Sequence, residues 1–358
     1  MYEENRIIKD ARVLREEFIP NRVLHREGQL DAIRNCLKPI VKDMEPRNIF
    51  VHGSPGTGKT CIARFVAGEL SAHTTTVQSS YINCWECPSR FKILYSILQD
   101  MGLTLSVHRK GTPTDELLDN IRKRLEKNYC VIILDEADKL EDDRILYDIS
   151  RLEGACLILL SNSETALHAA DPRVRSRLAS AENIEFPVYS DGEILDILKD
   201  RAEWGMLPGV IKNCQLETIA SASSGDCRVA IGTLRIIAED AENQDLESVP
   251  DVMIEKALPR AMQSSTKRNL EMLPSHQRLI MDILALENTL DGGELFKRFQ
   301  KLSPQRSLSR VTDRTFRNHM DKLTHLGLVS VEGRGRWKTY SIMQQNGSNG
   351  NTVSDQKR

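Results

Sequence analysis

Apolar residues recur along this chain in two alternating patterns. Ile49-Phe50-Val51 behind Asn48, Val131-Ile132-Ile133-Leu134 and Cys156-Leu157-Ile158-Leu159-Leu160 are unbroken runs that end at polar residues. Such runs predict strands buried on both faces, as in a parallel sheet. Ser80-Tyr81-Ile82-Asn83-Cys84 and Ile184-Glu185-Phe186 read as two further strands. Between the runs the spacing becomes helical. Leu30, Ile33, Leu37 and Ile40 share one face, as do Ile62, Phe65, Val66 and Leu70. Phe91, Leu94, Tyr95, Ile97, Leu98 and Met101 mark an amphipathic helix within an insert from Pro88 to Gly102. Leu117, Leu118, Ile121 and Leu125 mark another over 114–127, with Thr114 as its expected N-cap. Residues 1–17 read as one charged helix or arm, and Pro20 stops any helix there. Strand and helix in alternation predict an α/β layer with helices on both faces of the sheet.

Beyond residue 190 the pattern is helical. Ser190 and Glu193 form a capping box ahead of Ile194, Leu195 and Leu198. Gly225-Asp226-Cys227-Arg228 opens a helix that continues through Val229, Ile231, Leu234 and Ile237. Residues 260–271 read as a polar connector. Three short helices follow, after Ser275, Gly293 and Thr312, then two β-like runs, Leu328-Val329-Ser330-Val331 and Lys338-Thr339-Tyr340-Ser341-Ile342. The glycine-bearing segment between those runs is a hairpin signal. Three helices and a basic hairpin predict a winged helix-turn-helix unit, a fold that binds DNA or docks proteins. Residues 344–358 are polar and rich in Asn, Gly and Ser, which predicts a disordered tail.

Charge sharpens this division. Residues 260–342 carry 15 Lys/Arg against 8 Asp/Glu, whereas residues 1–259 carry 32 against 42. A basic C-terminal segment on an acidic chain points to a polyanionic partner there, or to a solvated charged face. At 358 residues the chain has room for two or three cores. No apolar run reaches transmembrane length and Met1-Tyr2-Glu3-Glu4-Asn5 is no signal peptide, so a cytoplasmic, nucleoid-associated protein without a membrane partner is expected. The eight cysteines are scattered, as in a reducing compartment. Cys84-Trp85-Glu86-Cys87 has no second pair at zinc-site spacing.

Candidate chemistry centres on Gly53-Ser54-Pro55-Gly56-Thr57-Gly58-Lys59-Thr60, a complete G-x-x-x-x-G-K-[ST] loop between a strand and a helix. Its glycines let backbone N–H groups surround phosphate oxygens. Lys59 is placed for the β/γ-phosphates of ATP, and the Thr60 hydroxyl for Mg²⁺. Asp135, at the end of a buried run, is the second candidate Mg²⁺ ligand. Glu136 is expected on the other side of the pleat, where it can activate water. Asn162, after the next run, can reach the γ-phosphate or the lytic water, or simply cap the strand. Arg173 and Arg177, in Asp171-Pro172-Arg173-Val174-Arg175-Ser176-Arg177-Leu178, can act on a neighbouring subunit's phosphate or remain solvated. Arg228, in the first turn of its helix, works against the helix dipole. Its expected partner is a triphosphate or a carboxylate. Val23 and Leu24 either pack on an adenine ring or fill the core.

In the C-terminal unit, Phe316, Met320 and Leu323 face inward at helical spacing. That leaves Arg314, Arg317 and Asn318 as candidates for DNA contact on a recognition helix. Arg334 and Arg336, at the narrow hairpin tip, are candidates for the minor groove.

Together these motifs resemble the AAA+ ATPases. Gly53–Thr60 corresponds to Walker A, Asp135-Glu136 to Walker B and Asn162 to sensor 1. Arg173–Arg177 corresponds to the arginine-finger box, and Gly225-Asp226-Cys227-Arg228 to sensor 2. Within that superfamily the chain resembles archaeal origin-recognition initiators through Pro20 with His25-Arg26-Glu27, Tyr81-Ile82-Asn83-Cys84 with its helical insert, Leu146-Tyr147 with Arg151, and the C-terminal unit. Ser163 departs from the acidic residue usual after the sensor asparagine, and Cys87 is unexpected. The resemblance implies an AAA+ nucleotide-binding α/β domain over 1–188, an α-helical lid over 189–262 and a winged-helix DNA-binding domain over 272–343. It implies ATP and Mg²⁺ as cofactors and slow hydrolysis as a switch. Its implied partners are double-stranded origin DNA, an MCM-type replicative helicase and further initiator subunits. A Holliday-junction-type branch-migration motor and a nucleotide-sensing transcription regulator are the alternatives.

Overall fold

The computed structural model describes residues 6–42, 44–74, 76–103, 112–126, 128–271, 273, 275–287, 289–306, 308, 310–325, 328–333 and 338–342. The chain divides into two units, Met1–Ser265 and Thr266–Arg358.

The first unit is built on five strands: β1 (Ile49–His52), β2 (Val77–Asn83), β3 (Tyr129–Asp135), β4 (Ala155–Ser161) and β5 (Glu182–Glu185). They pair in the order β2-β3-β4-β1-β5, all in parallel. The apolar runs read from the sequence supply the three central strands, β3, β4 and β1. Alternate residues of these strands enter two cores. Ile132, Leu134, Leu157 and Leu159 pack with α3 (Arg90–Asp100), α4 (Thr114–Leu125) and α5 (Arg144–Ile149). Val131, Ile133, Ile158 and Leu160 pack with α1 (Glu27–Leu37) and α2 (Lys59–His73) on the opposite face. α6 (Pro172–Leu178) adds Val174 and Leu178 to the first core. The predicted α/β layer is thus present, with parallel strands covered on both faces.

A third core holds the helices that follow: α7 (Asp191–Gly205), α8 (Asn213–Ala222), α9 (Cys227–Asn243) and the start of α10 (Asp251–Glu271). The Ser190–Glu193 capping box is present at the start of α7. Over residues 6–17 the N-terminal segment is an arm and forms no helix. Ile7 and Leu14 are buried in the third core, and the Glu242 carboxylate accepts from the N–H groups of Arg6, Ile7 and Ile8. The arm's backbone groups find partners on α7 and α9: Ile7 and Ile8 N–H donate to Glu242, Lys9 N–H donates to Gly205 O, and Val13 O accepts from Arg201.

Two local expectations are corrected. Thr114 is the first residue of α4 and not its cap; Pro113 precedes it in extended conformation, without a side-chain cap. The polar stretch 260–271 is no connector, because α10 continues to Glu271 with Pro259 inside it. Gln, Ser, Lys and Arg carry no helix breaker, so polarity alone does not end a helix.

The second unit contains α11 (Ser275–Glu287), β6 (Thr289–Asp291), α12 (Gly292–Leu302), α13 (Asp313–His325), β7 (Val329–Glu332) and β8 (Thr339–Ile342). The strands form an antiparallel sheet in the order β6-β8-β7. Phe299, Phe316, Met320 and Leu323 are buried in its core. This is the predicted winged helix-turn-helix. The expected tail, 344–358, lies outside the described residues.

Candidate functional site

The loop between β1 and α2 owes its shape to glycine. Gly56 and Gly58 have φ of 79° and 92°, in the left-handed region that side chains disfavour. A Cβ on Gly56 would lie 1.9 Å from Asp226 Oδ1, and one on Gly58 2.8 Å from the Tyr189 hydroxyl. α2 starts at Lys59 without a side-chain cap, and its first intrahelical bond runs from Ile62 N–H to Gly58 O. The preceding N–H groups of that turn have no helical acceptor, which makes the turn an anion site.

Four predicted residues converge there. Lys59 Nζ donates to Gly53 O (2.7 Å), Ser54 O (2.9 Å) and Asn162 Oδ1 (3.0 Å). The lysine of the loop therefore touches the amide that follows β4. Burial lowers the Lys59 pKa to about 8, against the opposing pull of Asp135. Thr60 Oγ1 donates to Asp135 Oδ2 at 2.6 Å. Asp135 ends β3, is buried, and accepts the Glu136 N–H on Oδ1 at 2.9 Å. Two hard oxygen donors side by side suit Mg²⁺. Among the described residues no cluster of three or more His, Cys, Asp or Glu offers another metal site.

Glu136 does not continue the pleat. Its φ is 53°, so the strand ends at Asp135 and the chain turns into a short 3-10 segment. Burial, then the neighbouring Asp135 and Asp138, push its carboxyl above the usual range. That suits a group meant to take up a proton.

Arg228 finds the carboxylate partner. Its Nη2 and Nε donate to Asp226 Oδ2 (2.9 Å) and Oδ1 (3.2 Å), and Asp226 also caps α9 by accepting Arg228 N–H. Asp226 also borders Gly56, so this arginine is held at the rim of the phosphate loop. Val23 is half-buried against the α1/α2 core; Leu24 is half-buried and joins no core cluster among the described residues. Arg173 and Arg177 lie exposed on α6 and pair with no carboxylate among the described residues.

Sequence reasoning gave Arg26 no role of its own. It is 3 % exposed, donates to Thr57 O (3.3 Å), His25 O (3.0 Å) and Pro187 O (2.5 Å), and lies 3.7 Å from the Tyr189 ring centroid. It thus ties the phosphate loop to the strand-to-lid crossing at 187–189. An Arg before a helix start carries no local signal for such a reach.

In the second unit, Arg314, Arg317 and Asn318 are exposed on α13, outside the face of the buried Phe316, Met320 and Leu323. Arg317 pairs with Asp313 at 2.6 Å. Thr312 caps this helix by accepting Thr315 N–H. Arg334 and Arg336 lie outside the described residues.

Three family descriptions match the chain: an AAA domain over residues 42–166, the lid domain of Cdc6-type AAA+ ATPases over 195–258, and the Cdc6 C-terminal winged-helix domain over 268–349. ORC1-type DNA replication protein 9 of Halobacterium salinarum is 37% identical over 95% of this chain and 95% of its own. An ORC1-type DNA replication protein of Methanoregula boonei is 31% identical over 93% of this chain and 85% of its own. The structure of the Aeropyrum pernix ORC1 protein in complex with DNA superposes with a TM-score of 0.75, at 28% identity, over 95% of this chain and 94% of that one.

Proposed function

The chain belongs to the ORC1-type DNA replication proteins, and from that membership we propose how its parts work as an ATP-dependent replication initiator. The relatives' replication role favours this function over the branch-migration motor and the promoter regulator. Its core is that of an AAA+ ATPase, so it binds nucleotide. In our reading residues 1–188 and 189–262 hold ATP between core and lid, and 272–343 grip origin DNA.

The observation that carries the reading is the convergence of Lys59, Thr60, Asp135 and Asn162 at the ends of β1, β3 and β4. Lys59 exchanges its carbonyl partners for β/γ-phosphate oxygens. Thr60 and Asp135 hold Mg²⁺, which when bound neutralises phosphate charge. Asn162 orients the far phosphate or the water beside it. Glu136 takes the proton of that water. Arg228 leaves Asp226 for the phosphate chain, and this exchange fixes the angle between lid and core while ATP is bound. Hydrolysis returns Arg228 to Asp226 and releases the lid, a hinge switch with slow turnover. Arg177, or Arg173 in its place, completes the site of a neighbouring initiator subunit. Recruitment of an MCM-type helicase would follow on the DNA-bound form.

On DNA, Arg314, Arg317 and Asn318 face the major groove, and Arg334 and Arg336 reach the minor groove from the wing. Titration of labelled duplex at several salt concentrations tests this. Arg334→Ala with Arg336→Ala should weaken binding to every sequence and lower the salt slope by about one unit for each arginine–phosphate pair removed. Arg317→Ala should relax specificity at one position. A wing variant that binds like the parent, with the same slope, would make this unit a protein-docking domain instead.

A further inference from the structure

Asp135 has a third donor besides Thr60 Oγ1 and its neighbour's N–H. The Tyr81 hydroxyl donates to Asp135 Oδ2 at 2.7 Å, the same oxygen that accepts from Thr60. Tyr81 stands on β2, where Asn83 and not Tyr81 is the register partner of Asp135. The phenol therefore reaches diagonally, two positions along the neighbouring strand, on the face that α2 covers. From α2, Arg64 lies over the Tyr81 ring at 4.9 Å from its centroid. Thr60 and Arg64 are one helical turn apart, so one face of α2 holds both the carboxylate and the phenol that braces it.

We propose that Tyr81 is a positioning residue which fixes the Asp135 carboxylate beside Thr60 and thereby raises the Mg²⁺ affinity of the nucleotide site. A carboxylate at the end of a strand turns about its side-chain bonds unless hydrogen bonds restrain it. Oδ1 is held by the Glu136 N–H and Oδ2 by two hydroxyls. When Thr60 turns its oxygen lone pair toward a cation, Tyr81 still restrains Oδ2. Partners that orient a metal ligand in this way typically change metal affinity about 10–100-fold when removed. The inference rests on the reading that Thr60 and Asp135 hold Mg²⁺.

The test is binding of a fluorescent ADP analogue to the full-length protein across a MgCl₂ titration and in EDTA. The parent is compared with Tyr81→Phe, Asp135→Asn and the double variant. Tyr81→Phe keeps the ring and its packing under Arg64 and removes only the hydroxyl. It should raise the Mg²⁺ half-saturation about tenfold, leave affinity in EDTA unchanged, and add nothing in the Asp135→Asn background. Half-saturation within twofold of the parent, an equal loss of affinity with and without Mg²⁺, or a full effect on top of Asp135→Asn each overturns the proposal. A parent whose nucleotide binding ignores Mg²⁺ overturns the metal assignment itself, and this inference with it. A Mg²⁺-dependent parent matched by Tyr81→Phe overturns the inference alone.

Discussion

Gly56→Ala tests whether the phosphate loop and the lid touch where the structure places them. An alanine there must adopt φ near 79°, and its Cβ would sit 1.9 Å from Asp226 Oδ1 and 3.0 Å from Asp226 Cα. Rotating the Asp226 side chain relieves the first contact only by breaking its bonds to Arg228, and the second, to backbone, still has to give by a few tenths of an ångström. Left-handed backbone costs alanine about 1–2 kcal/mol. Displacing Asp226 removes the cap on Arg228 N–H, worth about 1 kcal/mol. The partly buried Arg228–Asp226 pair adds about 0.5–1 kcal/mol. The expected destabilisation is therefore about 2–4 kcal/mol, measured as a lower urea midpoint by circular dichroism. Gly68→Ala is the control: Gly68 lies within α2 with open space around its Cα, and alanine there should stabilise by up to about 1 kcal/mol. A Gly56→Ala protein as stable as the parent would refute the packing of loop on lid.

Three further outcomes follow from the site. Lys59→Met should abolish nucleotide binding yet remove a buried cation. Because the Lys59 pKa is lowered from 10.5 to about 8, the unfolded chain binds more protons between those values. The nucleotide-free parent should then gain stability from pH 8 to 10.5 relative to Lys59→Met, and parallel stability–pH curves would contradict this. Glu136→Gln should retain nucleotide binding and lose hydrolysis by about 10²–10⁴-fold, and equal turnover in a phosphate-release assay would remove the catalytic assignment. Arg177→Ala should lower hydrolysis only at concentrations where subunits meet; a fall of the same size in dilute monomer would make it a structural arginine.

The parts that were legible in the sequence are those with local causes. Gly53–Thr60 and Asp135 could be placed because the phosphate loop needs glycine backbone at fixed spacing, and because a buried run must end where its polar residue begins. Buried strands and the inward face of α13 follow from periodicity alone. What was missed is non-local. Arg26 reaches Pro187, 161 positions away, and Tyr81 reaches Asp135 only through the β2–β3 register. The left-handed turn at Glu136 has no residue-type signal, since glutamate rarely adopts it. Arg228, by contrast, has one of its two expected partners, a carboxylate, supplied locally by Asp226 two positions earlier. Residues 6–17 read equally as helix or arm, and the choice is made by partners far along the chain, Arg201 and Glu242.

The most direct measurement is a footprint of the full-length protein on genomic DNA with ATP and Mg²⁺. Protection is expected at replication origins, weakened when Lys59 is replaced by methionine. Protection confined to promoters, or equal protection by the parent and the Lys59→Met protein, would contradict an initiator whose hold on DNA is set by nucleotide.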